Sequence, residues 1–290
     1  MAQKVVAVTR PFGVALLSRL LGEWPKRREK RMLTVEAMEA AGIKHEFKNK
    51  DGSLEKLGSL LNAGYGVVGL TPHFSYGDFF RVISSLLVNC EKSRNREMHI
   101  PLALHQDGKL LMVATERFSE VYMSRIRTPD TKRKEAALHE RGKKIPWLNK
   151  INPEDVIDYL RQAAKTLKAA GIVMVAPQGG RRGTLEPFEK EPVKALDIIS
   201  RRARVEKVAY AFFGIEVPGL EDYGAKSKME MHLGLKYIVT LGLVLTAGEF
   251  KARAAANGRT LDEEAYQIML DLAPENYKPK QALASPVTIS

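Results

Sequence analysis

The chain has 290 residues, 44% hydrophobic and 28% charged, a balance that suits a soluble globular protein and excludes disordered and fibrous classes. That length can bury a sizeable core, as one large domain or two small ones. Forty-six Lys and Arg against 34 Asp and Glu leave a formal charge of +12, which favours polyanionic or phosphate-bearing partners, and the lone Cys90 excludes a disulfide framework or a cysteine metal cluster within the chain.

The opening stretch, MAQKVVAVTRPFGVALLSRLLGEW, carries Arg10 and Arg19 where a secretory signal needs an unbroken apolar run. No run reaches the ~20 apolar residues of a membrane-spanning helix. The best candidate, YIVTLGLVLTAG, reads as a strand, so a cytoplasmic location is expected. Residues 12–22, GVALLSRLLGE, place apolar side chains at helical spacing, and the basic run PKRREKR follows. That pattern fits either core packing or a helix lying on an anionic membrane face. Residues 32–41 and 53–63 have helical spacing, the second stopped by Gly64. Residues 1–63 are thus expected to be an N-terminal helical segment packed on a main domain of 64–290.

From Gly66 the pattern alternates. GVVGL (66–70) suits a strand buried on both faces, and 77–90 has the length of a helix. MHIPLAL (98–104) and KLLMVA (109–114) read as strands. Asn152, Pro153, Glu154 and Asp155 make a helix start, with Asn as cap, Pro in the first position and two acids against the dipole. The helix that follows would put Val156, Leu160, Ala163, Ala164 and Leu167 on one face. IVMVA (172–176), KVAYAFFGIEV (207–217) and LKYIVTLGLVLT (235–246) supply more strands, and LDEEAYQIMLDL (261–272) a closing helix. Strands alternating with helices predict an α/β fold: a mixed, largely parallel central sheet flanked by helices.

Several motif matches fail on context. The glycines Gly64, Gly66 and Gly69 match G-x-G-x-x-G as a string, but they lead into a strand rather than out of one into a helix. There is no Walker phosphate loop and no H-E-x-x-H, and His99 and His105 lack metal-site company. Ser75 lies close to His73, but no G-x-S-x-G elbow presents it as a nucleophile. Nucleic-acid binding has charge in its favour, yet aromatic residues are only 7% and are not interleaved with the basic runs.

PHFSYGD (72–78) survives. It follows the expected GVVGL strand, where ligand sites of open α/β sheets gather. His73 would project from the strand end. Asp78, in the first turn of the next helix, could reach back to the imidazole, fix its tautomer and leave the other ring nitrogen to take a proton. A plain capping Asp beside a surface His is the competing reading of the same spacing.

PHFSYGD resembles the H-x4-D signature of the glycerolipid acyltransferases (glycerol-3-phosphate and lysophospholipid acyltransferases), including the serine two places after the histidine. VMVAPQGGRR (173–182), again following an apolar strand, is similar to that family's F-P-E-G-T-R-S block. The resemblance covers roughly residues 60–215. It implies that His73 is a general base oriented by Asp78, acting on an acceptor hydroxyl that attacks an acyl thioester. Ser75, Gln178, Gly179, Gly180, Arg181 and Arg182 would form the substrate-binding set. Arg181 would hold the acceptor phosphate and Gly179 would let the backbone approach it. Acyl-CoA or acyl-acyl carrier protein would be the donor, glycerol phosphate or a lysophospholipid the acceptor, with no metal or other cofactor.

This chain departs from the family pattern at Gln178, where the family has Glu, and at Gly180, where it has Thr. Its best counterpart of the family's intermediate arginine motif is YMSRIR, with Arg125 and Arg127. Between Arg125 and Lys150 nine Lys and Arg face three Asp and Glu. That stretch would be a solvated surface hairpin or helix, or a dock for an acidic carrier protein, the phosphates of CoA or an anionic bilayer, with Trp147 as an interfacial anchor or a core residue. The expected protein is a peripheral acyltransferase on the cytoplasmic membrane face. A lipid- or acyl-binding protein that has lost turnover is the alternative.

Overall fold

A computed structural model describes residues 44–74, 78–103, 121–126, 129–144, 156–179, 183–188, 190–218 and 236–279. The first half of the chain forms β1 (Lys44–Asn49), α1 (Ser53–Asn62), β2 (Gly66–Leu70), α2 (Asp78–Asn89), β3 (Met98–Ala103), β4 (Val121–Ile126) and α3 (Pro129–Glu140). The second half forms α4 (Val156–Lys168), β5 (Ile172–Val175), α5 (Pro192–Arg202), β6 (Val208–Glu216), β7 (Lys236–Thr246), α6 (Ala247–Ala256) and α7 (Leu261–Leu272). Two 3-10 turns, Glu91–Ser93 and Glu275–Tyr277, complete the described elements.

The seven strands make one sheet in the order β1-β7-β6-β2-β5-β3-β4. Strands β6, β2, β5, β3 and β4 run parallel; β7 is antiparallel to β6, and β1 is parallel to β7. This is the mixed, largely parallel α/β architecture the alternating pattern predicts. Every residue of β2 and β5 is buried, as expected of strands with neighbours on both edges and helices on both faces.

The connections fix where a site can form. The β2–α2–β3 crossover moves along the sheet in one direction and β5–α5–β6 in the other, although β2 and β5 are neighbours. Right-handed crossovers therefore carry α2 and α5 to opposite faces. Helix α4 packs on β2, β5, β3 and β4 and against α5, while α5 and α6 both pack against α7. Helices α1 and α2 pack against β7 and the Glu91–Ser93 turn. Between the carboxyl ends of β2 and β5 the chain leaves in opposite directions, and such a switch point opens a crevice.

Local chemistry explains the elements. Helices α6 and α7 each open with a capping box, Thr246 with Glu249 and Thr260 with Glu263. Helix α5 has no side-chain cap of its own. Asp262 of α7 reaches across to accept the Val193 and Lys194 N–H groups at 2.8 and 3.0 Å, which ties the two helices together at that end. Gly69 of β2 leaves room for a neighbouring strand's side chain: a Cβ there would collide with Met174 Sδ of β5 and meet the Phe213 ring at 3.4 Å.

Two expectations change. The segment before residue 64 is not wholly helical: KHEFKN (44–49) is an edge strand of the main sheet, so the sheet extends across the expected boundary. Its mostly polar residues, with Phe47 the one apolar side chain, suit an edge strand. Val156 is 57% exposed, and the buried face of α4 is Tyr159, Ala163, Ala164, Thr166 and Leu167. Val156 shares the helical face of Tyr159 and Ala163, but it is the first residue of α4 and is exposed at the helix end. The expected helices at 12–22 and 32–41, the strand at 109–114, the helix start at 152–155 and Trp147 lie outside the described residues.

Candidate active site

Two loops leave the sheet at the switch point. The β2 ladder continues one residue past the strand, with Thr71 N–H donating to the Val175 carbonyl at 3.0 Å, so His73 stands two residues beyond a fixed backbone position. Asp78 opens α2, fully buried. Its Oδ2 accepts the Phe74 N–H at 2.6 Å and stands 3.7 Å from His73 Nδ1. The carboxylate thus does two things at once: it closes the 74–78 loop by a charge-assisted bond to backbone, and it lies within ion-pair reach of the imidazole without hydrogen-bonding it. His73 Nδ1 is buried and has no hydrogen-bond partner. The Phe79 ring lies 5.4 Å from the imidazole at a tilt of 56°. His73 keeps 19% of its side chain exposed, so the ring has an opening to solvent while its carboxylate neighbour has none.

The second loop follows β5. Ala176, Pro177, Gln178 and Gly179 make a tight turn closed by Gly179 N–H to the Ala176 carbonyl at 3.0 Å, with Pro in its second position. Gly179 has φ +70°, which a side chain would strain. The turn aims Gln178 back at the first loop. Its Oε1 accepts the His73 N–H at 3.3 Å and its Nε2 donates to the Thr184 carbonyl at 3.0 Å. Two sequence blocks about a hundred residues apart therefore meet at one side chain.

A third segment supports them from behind. Tyr277, in the 3-10 turn after α7, is fully buried with its ring 4.9 Å from that of Phe74. Burial pushes its phenol up to about 12, and the carboxylates of Glu216 and Asp78 add to the shift. Its carbonyl accepts the Leu185 N–H at 2.8 Å, so the same residue anchors both loops.

Of the expected site residues, His73, Asp78, Gln178 and Gly179 come together here. Ser75, Gly180, Arg181 and Arg182 lie outside the described residues. Gln178 spends both ends of its amide on backbone. Arg125 is elsewhere: it lies on edge strand β4, half-buried with Nη1 on the Met123 carbonyl, three strand spacings or about 14 Å from β2. Arg127 lies outside the described residues. Phe74, Thr184 and Tyr277 were not legible as site residues. Phe74 sits inside the motif but acts through backbone and ring, and nothing in the string ENY marks its tyrosine.

Among the described residues, no group of three His, Cys, Asp or Glu could hold a metal ion, and no helix is long and apolar enough to cross a membrane. The arrangement offers proton transfer: an imidazole with one nitrogen turned toward a buried carboxylate and the other farther from it. Neither a family model nor a curated protein matches the chain.

Proposed function

We propose that the protein is an acyltransferase that moves a fatty acyl group from an acyl thioester, acyl-CoA or acyl-acyl carrier protein, to a hydroxyl of a glycerol-phosphate or lysophospholipid acceptor. The observation that carries this reading is the meeting of His73, Asp78 and the Gln178 turn at the β2–β5 switch point. His73 takes the proton of the acceptor hydroxyl through the ring nitrogen remote from Asp78, and the hydroxyl oxygen attacks the thioester carbonyl. When the tetrahedral intermediate collapses, the C–S bond breaks, the imidazolium gives its proton to the departing thiolate, and ester and thiol leave. The buried carboxylate 3.7 Å away favours the imidazolium that forms midway. General-base assistance of this kind is worth roughly 10²–10⁴ in rate. Arg181 and Arg182 supply the charge for an acceptor phosphate. The exposed cations of α3 and the turn after it, Lys132, Arg133, Arg141, Lys143 and Lys144, would hold the protein to an anionic membrane surface at about 1 kcal/mol each.

The test is thiol release from acyl-CoA in the presence of glycerol 3-phosphate or lysophosphatidate, comparing the native chain with His73→Ala. A loss of at least a hundredfold in kcat is expected, and equal turnover by the variant would remove His73 as the base. A second reading, an acyl-binding protein without turnover, is favoured by the Asp78 carboxylate being hydrogen-bonded to Phe74 N–H while His73 Nδ1 has no partner. Saturable acyl-CoA binding with no thiol release under any acceptor would select it.

A further inference from the structure

Gln178 stands where the resembling family has glutamate, and both ends of its amide are engaged within the protein. Its acceptor oxygen takes a backbone N–H, that of His73, and its donor nitrogen gives to a backbone carbonyl, that of Thr184. Neither partner can exchange polarity, so the amide has one orientation. An ionised carboxylate could still accept from His73 but would set an acceptor against the Thr184 carbonyl. Only a side chain that accepts at one end and donates at the other fits.

We infer that Gln178 is a positioning residue: it staples the β2 and β5 loops through backbone and thereby sets where the His73 imidazole stands relative to Asp78, and it does not touch substrate. The far end of the staple is itself held, because Leu185, next to Thr184, donates its N–H to Tyr277, whose ring packs on Phe74. The Asp78 carboxylate grips Phe74 N–H in turn. His73 is thus fixed by its own N–H on one side and by its neighbour's on the other. The staple stands on geometry alone, and only its consequence for turnover rests on the proposed function.

A glutamic acid at this position would regain the donor when protonated. Gln178→Glu should therefore close the staple at low pH and open it once the carboxyl ionises, above the ordinary value of about 4.3 because a carbonyl faces it. The experiment follows the His73 ring resonances and His73 backbone amide exchange by NMR without substrate, in the native chain, Gln178→Ala and Gln178→Glu. At fixed neutral pH, where His99 on β3 stays uncharged, its ring serves as an internal control for Gln178→Ala. In Gln178→Ala the His73 amide should exchange about tenfold faster and its ring resonances move while those of His99 stay. In Gln178→Glu the same change should appear as a step with pH that the native chain lacks. In turnover, kcat should fall with KM unchanged. Native-like His73 signals in both variants would overturn the staple, and so would a raised KM with an undisturbed ring, which marks a substrate contact. If Gln178→Ala fails to fold, the presence or absence of the pH step in Gln178→Glu decides alone. Should the ring respond as expected while the native protein turns over no acceptor, the staple stands and the acyltransferase reading fails.

Discussion

Acid should weaken this fold through one buried histidine remote from the candidate site. His99 lies on β3 with no exposed surface, its Nε2 2.8 Å from Ser124 Oγ on β4 and its Nδ1 without a partner. The aromatic rings of Tyr122 and Tyr159 enclose it at 5.0 and 5.3 Å. Burial alone pushes the imidazole down from 6.5 to about 4. The unfolded chain therefore holds the proton more tightly than the folded one, and stability rises with pH between those two values. The gap of about 2.5 units, at 1.36 kcal/mol each, makes the contribution of neutral His99 about 3 kcal/mol, fully present above pH 6.5 and lost as pH falls toward about 4. Urea unfolding at half-unit steps from pH 7.5 to 4.5, on the native chain and on His99→Gln, isolates this group from the other titrating residues. The native midpoint should fall more steeply, with the two free energies diverging by up to about 1.4 kcal/mol per pH unit inside the window. Parallel curves, or a His99 ring that titrates near 6.5 in the folded protein, would refute the reasoning.

Three further outcomes follow from contacts described above. Gly69→Ala drives a methyl into Met174 Sδ and should cost about 1–3 kcal/mol in thermal unfolding, with Met174→Ala in the same chain recovering part of it. Asp262→Ala orphans the Val193 and Lys194 N–H groups at the start of α5 and should cost about 1–2 kcal/mol, read by urea midpoint, whereas Asp262→Asn keeps an acceptor and should cost less. Tyr277→Ala opens a cavity against Phe74 and should lower stability by about 3–5 kcal/mol and cut any thioester-dependent turnover, while Tyr277→Phe keeps the ring contact and should retain most of both.

The central strands were legible because burial on both faces writes itself as an unbroken apolar run, as in GVVGL and IVMV. Strand direction was not. β6 and β7 are equally apolar, and nothing in their side chains announces that β7 turns antiparallel. β1 escaped notice because KHEFKN is an edge strand with few apolar residues, too short to carry a period. At the site, H-x4-D carried the pairing of His73 with Asp78, since a strand end followed by a helix start leaves that carboxylate little choice of direction. It did not carry the carboxylate's bond to the Phe74 N–H, because a backbone N–H has no letter in the sequence. Gln178 looked like a defect in a motif until the Thr184 carbonyl gave its amide nitrogen a partner.

Tyr277 comes last in chain order among the residues that assemble this crevice, some two hundred positions after His73. The loops that bear His73 and Gln178 follow strands that pair with one another, whereas the Tyr277 contact closes over a far longer stretch of chain, and contacts of such long sequence separation are the slow ones to form.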